Sequence, residues 1–187
     1  DEVAVQLKIE IRDDAPEVID NDTVYFNEND LRASRGEGES QGTDNNPEAL
    51  SRTRDIRGDV DWGADGFGRV TSVSVFGDGY PAFEMPNTGA DDTVTVYFDE
   101  NGEVTLDSSA AAVTLLVKED GDYTVTLNDN LLISGPGENL VTLFNGGIRI
   151  NAADADGDEV AVQLKIEIRD DAPEVENDAD STNEDTT

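Results

Sequence analysis

The chain has 187 residues, enough for one domain with a core of its own, and sets 44 acidic against 12 basic residues for a formal charge of −32. That balance excludes nucleic acid as a partner, because phosphate binding needs a basic surface, and it disfavours an anionic membrane surface. Cysteine and histidine are both absent, which removes disulfides, thiol chemistry, Cys/His zinc sites and Ser-His-Asp triads.

In chain order, the first element is a half-buried strand in which Val3, Val5, Leu7, Ile9 and Ile11 alternate with polar residues. It stops at Asp13-Asp14-Ala15-Pro16, since proline cannot continue a ladder. Thr23 to Phe26 predicts a short strand with Val24 and Phe26 on one face. Arg32 to Gly58 breaks the pattern: it is rich in Gly, Ser, Asn and Asp and holds Arg32, Arg35, Arg52, Arg54 and Arg57. It reads as a long polar insertion loop, as a ligand-contacting loop, or as an anchor for acidic neighbours. Within it, Asn46 to Leu50 predicts one helical turn with Asn46 as cap and Pro47 at its first position.

Strands are predicted next over 70–76, 93–98, 103–106, 111–118, 123–127, 140–144 and 147–150. Glycine-bearing turns separate them, and Asn101-Gly102 and Asn145-Gly146 are hairpin-type dipeptides. Many short strands with little helical periodicity predict an all-β, antiparallel sandwich. That patterning also argues against disorder, one of the plain readings of so acidic a chain; solubility and salt adaptation are the others.

The last strand, Val160 to Ile168, completes an exact repeat. DEVAVQLKIEIRDDAPE at Asp1 to Glu17 returns at Asp158 to Glu174, a period of 157 residues. The chain therefore reads as a piece of a tandem array. Residues 1–17 are the closing strand and linker of the preceding repeat, 18–175 one complete module, and 176–187 an acidic linker or disordered tail. No stretch has the length of a transmembrane helix and no signal peptide is expected of such a piece.

The chemistry concentrates on carboxylates. Asp154-Ala155-Asp156-Gly157-Asp158 places three of them at alternate positions around a glycine, an arrangement that can aim oxygens at a hard cation such as Ca2+. An EF-hand is not expected, because no downstream Glu stands at the required spacing; the plain alternative is a charged β-turn. Asp170 and Asp171, with their copies Asp13 and Asp14, form a second constellation where one module hands over to the next, followed after the first copy by Asp22. Such carboxylates repel one another unless a cation sits among them, and the alternative is a flexible acidic linker. Glu28, in Asn27-Glu28-Asn29-Asp30, is a further candidate calcium ligand. It stands with the weaker ones, Asp59, Asp61, Asp65 and Asp78, Asp99-Glu100, and Glu119-Asp120-Asp122, each of which reads alternatively as a plain polar turn. Trp62 reads as a core anchor or a sugar-stacking platform. Glycoside hydrolysis has no specific signal here, since among so many acidic residues some pair always fits; no catalytic residue is assigned and the chain reads as a non-enzyme.

Three stretches resemble the tandem repeats of large RTX-type bacterial adhesins exported by type I secretion. They are the closing signature DADGDEVAVQLKIEIRDDAPEV (Asp154 to Val175), TVYFNENDL (Thr23 to Leu31) and WGADGFGRVTSV (Trp62 to Val73); Asp122 to Leu127 is similar to a further strand of that family. The resemblance implies an immunoglobulin-like extender with calcium within and between modules, on the surface of a Gram-negative cell and engaged in adhesion and biofilm formation. Its partners would be neighbouring repeats, with a glycan or surface protein as the alternative ligand of the 32–58 segment. Neither nucleic acid nor membrane insertion is expected. The duplicated strand allows a monomer or a weak strand-exchanged oligomer.

Overall fold

The computed structural model of the chain describes residues 14–34, 48–77, 79–89, 91–132 and 139–170. The period-two segments become strands, and among the described residues there is no α-helix. In chain order the strands are β1 (Glu17–Val18), β2 (Asp22–Asn27), β3 (Ser51–Asp55), β4 (Val60–Asp61), β5 (Phe67–Val75), β6 (Phe83–Glu84), β7 (Thr93–Phe98), β8 (Val104–Thr105), β9 (Val113–Lys118), β10 (Asp122–Leu127), β11 (Leu140–Thr142), β12 (Ile148–Asp154) and β13 (Glu159–Arg169). Short 3-10 turns cover Glu28–Ser34, Ser108–Ala110 and Leu143–Gly146.

Two main sheets result. One runs β3-β10-β9-β7-β8, the other β11-β13-β12-β5-β6, and the β1–β4 pair stands apart. Every pairing is antiparallel except that of β2 with β13. Leu164 pairs with both Ile148 and Asp22, and Ile168 with both Val141 and Phe26, so β2 takes one edge of β13 while β12 and β11 share the other. The inward residues of the two sheets meet in one core. Val94, Val96, Phe98, Leu115, Val117, Tyr123 and Val125 come from the first, and Val24, Phe26, Val73, Ile150, Leu164, Ile166 and Ile168 from the second. This is the expected all-β sandwich, held by apolar burial between facing sheets.

The 32–58 segment is not wholly a loop. Its end forms β3, an edge strand on β10, tied across by Ser51–Thr126 and Thr53–Thr124 hydroxyl pairs at 3.0 and 2.9 Å. Arg52 stacks over the Phe26 ring at 5.4 Å and pairs with Glu48, and Arg54 pairs with Asp22. Arg57 pairs with Asp55 and Asp122. These three arginines anchor acidic neighbours; Arg35 lies outside the described residues. Glu48 to Leu50 are not helical, so the expected turn over 46–50 does not form in its described part. The strand expected over 140–144 ends at Thr142, because Phe144 and Asn145 take positive φ and turn the chain into β12.

The sandwich has two distinct poles. At the entry pole, Asp14 lies against Gly63, where its Oδ2 stands 2.7 Å from the place a Cβ would take. The 63–66 loop there reaches the turn between β12 and β13, whose Ala155 N–H donates to Gly66 O at 3.2 Å. β13 then runs roughly 33 Å, at about 3.3 Å per residue, to the exit pole. There Asn27 pairs with Arg169 and the Asp170 N–H donates to Asn139 O at 2.8 Å.

Candidate metal centre

Asp154 closes β12, Glu159 opens β13, and the hairpin between them carries the three carboxylates. Gly157 at φ +109° makes the bend, a conformation costly for a side chain. Asp154 Oδ1 accepts from the Gly157 and Asp158 amides at 2.9 and 2.8 Å, and the Asp154 N–H donates to Asp158 O at 3.1 Å. The same oxygen thus shapes the turn and fixes the direction of the other. That other oxygen, Asp154 Oδ2, is buried and has no hydrogen-bond partner. Asp154 is only 3% exposed, Asp158 half-buried and Asp156 exposed.

Two features of the sheet make room for this. β12 slips register against β5 between Ala153 and Asp154, a bulge that re-aims the last residue of the strand. Gly68 on β5 lies flat against Asp154, and a Cβ there would collide with the Asp154 carbonyl. Burial pushes the Asp154 pKa up, but hydrogen bonding with Asp156 and with the amides of Asp158, Gly157 and Asp156 outweighs it and leaves the group below the usual carboxylate range. An ionised carboxylate with an unpartnered buried oxygen is costly unless a cation completes it.

One oxygen from each of Asp154, Asp156 and Asp158 falls within 4.8 Å of the others. Oxygens bound to one Ca2+ at about 2.3–2.6 Å lie no farther apart than about 4.6–5.2 Å, so the three can share such an ion. Among the described residues no other three acidic side chains come this close. The trio therefore can hold a metal, with further oxygens left to carbonyls, water or a neighbouring module.

The other expected ligands are placed elsewhere. Asp170 is at the exit pole, far from the trio, and Asp14 is exposed beside Gly63 without joining it. Asp13, Asp171 and Asp78 lie outside the described residues. Asp22 is engaged within the protein: its Oδ2 accepts from the Tyr123 hydroxyl, its Oδ1 from the Thr23 amide at 2.9 Å, and Arg54 stands 3.3 Å away. Burial first, and donation to Asp22 second, push the Tyr123 pKa far up, so the phenol stays protonated. Glu28, 1% exposed, accepts from the Leu131 amide at 2.6 Å, and Asp30 accepts from the Glu48 amide at 2.8 Å, so both pin the 28–34 turn to distant chain.

The remaining acidic turns are mostly self-contained. Asp99 Oδ1 accepts from the Asn101 and Glu103 amides, and Asp61 Oδ1 from Gly63. Asp65 is exposed. Asp92, which its sequence context did not single out, caps the Thr88-Gly89 turn through three hydrogen bonds. Trp62 is a core anchor: 8% exposed, it packs edge-on against Phe67 at 5.0 Å and donates Nε1–H to Arg57 O at 3.0 Å.

No protein-family model matches this chain, and no curated protein or solved structure resembles it significantly. The function therefore rests on the geometry and the repeat.

Proposed function

We propose that the chain is a calcium-binding extender module of a bacterial cell-surface adhesin, stiffened by calcium and carrying other regions of the same protein outward for adhesion and biofilm formation. The supporting observation is the unpartnered buried oxygen of Asp154, set beside Asp156 and Asp158 at the pole where Asp14 lies against Gly63. The exact repeat supplies the array, and the charge of −32 supplies the need for cations. Calcium bound at this turn adds to the stability of a chain this anionic, so its folding is favoured where calcium is plentiful, outside the cell. Neighbouring repeats are its first partners in this reading.

Titration with calcium during thermal unfolding tests the proposal. A saturable rise in melting temperature, reversed by chelator and absent with magnesium at equal concentration, is expected. A melting curve indifferent to calcium and chelator overturns it.

A further inference from the structure

A cleft of about 530 Å³ opens beside the metal centre and is not used by it. Four separate pieces of chain build its walls: Arg57 from the turn after β3, Phe67 and Gly68 from the start of β5, Asn87 from the loop after β6, and Glu119 and Asp120 from the β9–β10 turn. Its size lies in the range of about 300–1,000 Å³ typical of small-ligand sites.

The polar groups are held before any ligand arrives. Arg69 donates Nη1–H to Asn87 Oδ1 at 2.7 Å and its Nε stands 3.2 Å from Glu119 Oε1. Because arginine only donates, Asn87 must turn its oxygen to Arg69, which leaves the Nδ2 amide as a donor for the cleft. Asp120 spends Oδ1 on the Asp122 amide at 3.0 Å, and Arg57 is oriented by Asp55 at 3.2 Å and Asp122 at 2.5 Å. Trp62 fixes the Phe67 ring from behind, at 82° between planes. Fixed donors, acceptors and an aromatic surface cost little to order on binding.

The charges select the ligand. Glu119 is paired with Arg69 and Arg57 with Asp55 and Asp122, so these charges are already balanced, and the remaining Asp120 disfavours an anion. A neutral molecule with hydroxyls around its rim and an apolar C–H face suits all three surfaces, the face against Phe67 and the hydroxyls toward Asn87, Glu119 and Asp120. We propose that this cleft is a binding site for neutral pyranose sugars. It does not depend on the calcium reading, since none of its walls belongs to the metal trio.

The test is amide-resolved NMR on the full calcium-loaded chain, titrated with methyl glycosides of glucose, galactose, mannose and N-acetylglucosamine, and with galacturonate as the acidic control. Saturable shifts centred on Arg57, Phe67, Gly68, Asn87, Glu119 and Asp120 are expected, with a Kd of about 1–10 mM for at least one neutral glycoside and weaker binding of galacturonate. Asn87→Ala, at an exposed position, lowers that affinity at least about fivefold with the melting temperature unchanged. Phe67→Leu keeps an apolar contact for Trp62 and lowers it similarly. Absence of saturable shifts with every neutral glycoside, preference for galacturonate, or binding that survives both substitutions overturns the proposal. Repeating the titration in chelator separates failure of the cleft from failure of the metal centre.

Discussion

Asp22 is half-buried and Asp154 buried, and the fold treats them differently. Asp22 sits midway along the sandwich and is answered from within: a phenol, an amide and a guanidinium surround it. Asp154 sits at the entry pole and is answered on one oxygen only. A buried carboxylate completed by protein donors is stable in any buffer. One left half-complete depends on what the medium supplies. Under the proposed reading, the region around Asp22 holds by itself and the turn at Asp154 gains its full stability only with a bound cation.

The largest effect that separates the two is removal of calcium. At free calcium of about a hundred times Kd, binding adds about 2.7 kcal/mol, worth roughly 5–10 °C in melting temperature for a domain of this size. Asp154→Asn keeps an oxygen for the Gly157 and Asp158 amides but puts an amide where the cation would sit. Calorimetric titration should show calcium affinity reduced about 10- to 100-fold or more, with the chelated protein little altered. An unchanged affinity would place the ion elsewhere.

Gly68→Ala comes next. Its methyl group would enter the space of the Asp154 carbonyl, so the bulge that aims Asp154 must shift. A loss of about 1–3 kcal/mol in denaturant unfolding is expected, together with weaker calcium binding. Tyr123→Phe is the matched change at the other aspartate. It removes the donor to Asp22 and costs about 1–2 kcal/mol, by the same amount with calcium and with chelator. If that cost depended on calcium, Asp22 would be part of the metal centre and the contrast between the two regions would fail.

How far these differences were legible in sequence depends on how local their causes are. β7 and β10 could be read closely from Val94, Val96 and Phe98 and from Tyr123, Val125 and Leu127, because alternation records which face is buried. β3 could not: Ser51 to Asp55 is a polar edge strand whose partner residues lie 67 to 75 positions away, and its hydroxyl pairs exist only once β10 is beside it. The trio of Asp154, Asp156 and Asp158 was legible because one turn contains it. The burial of Asp154 was not, since it depends on Gly68 from a distant strand. Glu28 and Asp30 look like solvent-facing residues until the 28–34 turn folds under and their carboxylates meet the amides of Leu131 and Glu48.

The smallest expected effect concerns Asp59, which stands between the two cases. Its Oδ2 is buried without a hydrogen-bond partner, and its pKa is raised, by burial first and then by the charges of Asp22, Asp20 and Asp55, with Arg54 pulling the other way. A carboxyl raised above its ordinary 3.8 contributes stability that is complete below that value and is lost as pH rises through the raised one. Asp154, lowered, has the opposite slope: its contribution stands above 3.8 and disappears as pH falls through the lower folded value. In chelator, Asp59→Asn should therefore melt higher than the parent at neutral pH, and the gain should vanish by about pH 3.5. A variant that melts lower at neutral pH would mean that the ionised Asp59 carboxylate is satisfied by something the fold does not supply, and Asp59 would then belong with Asp154 rather than Asp22.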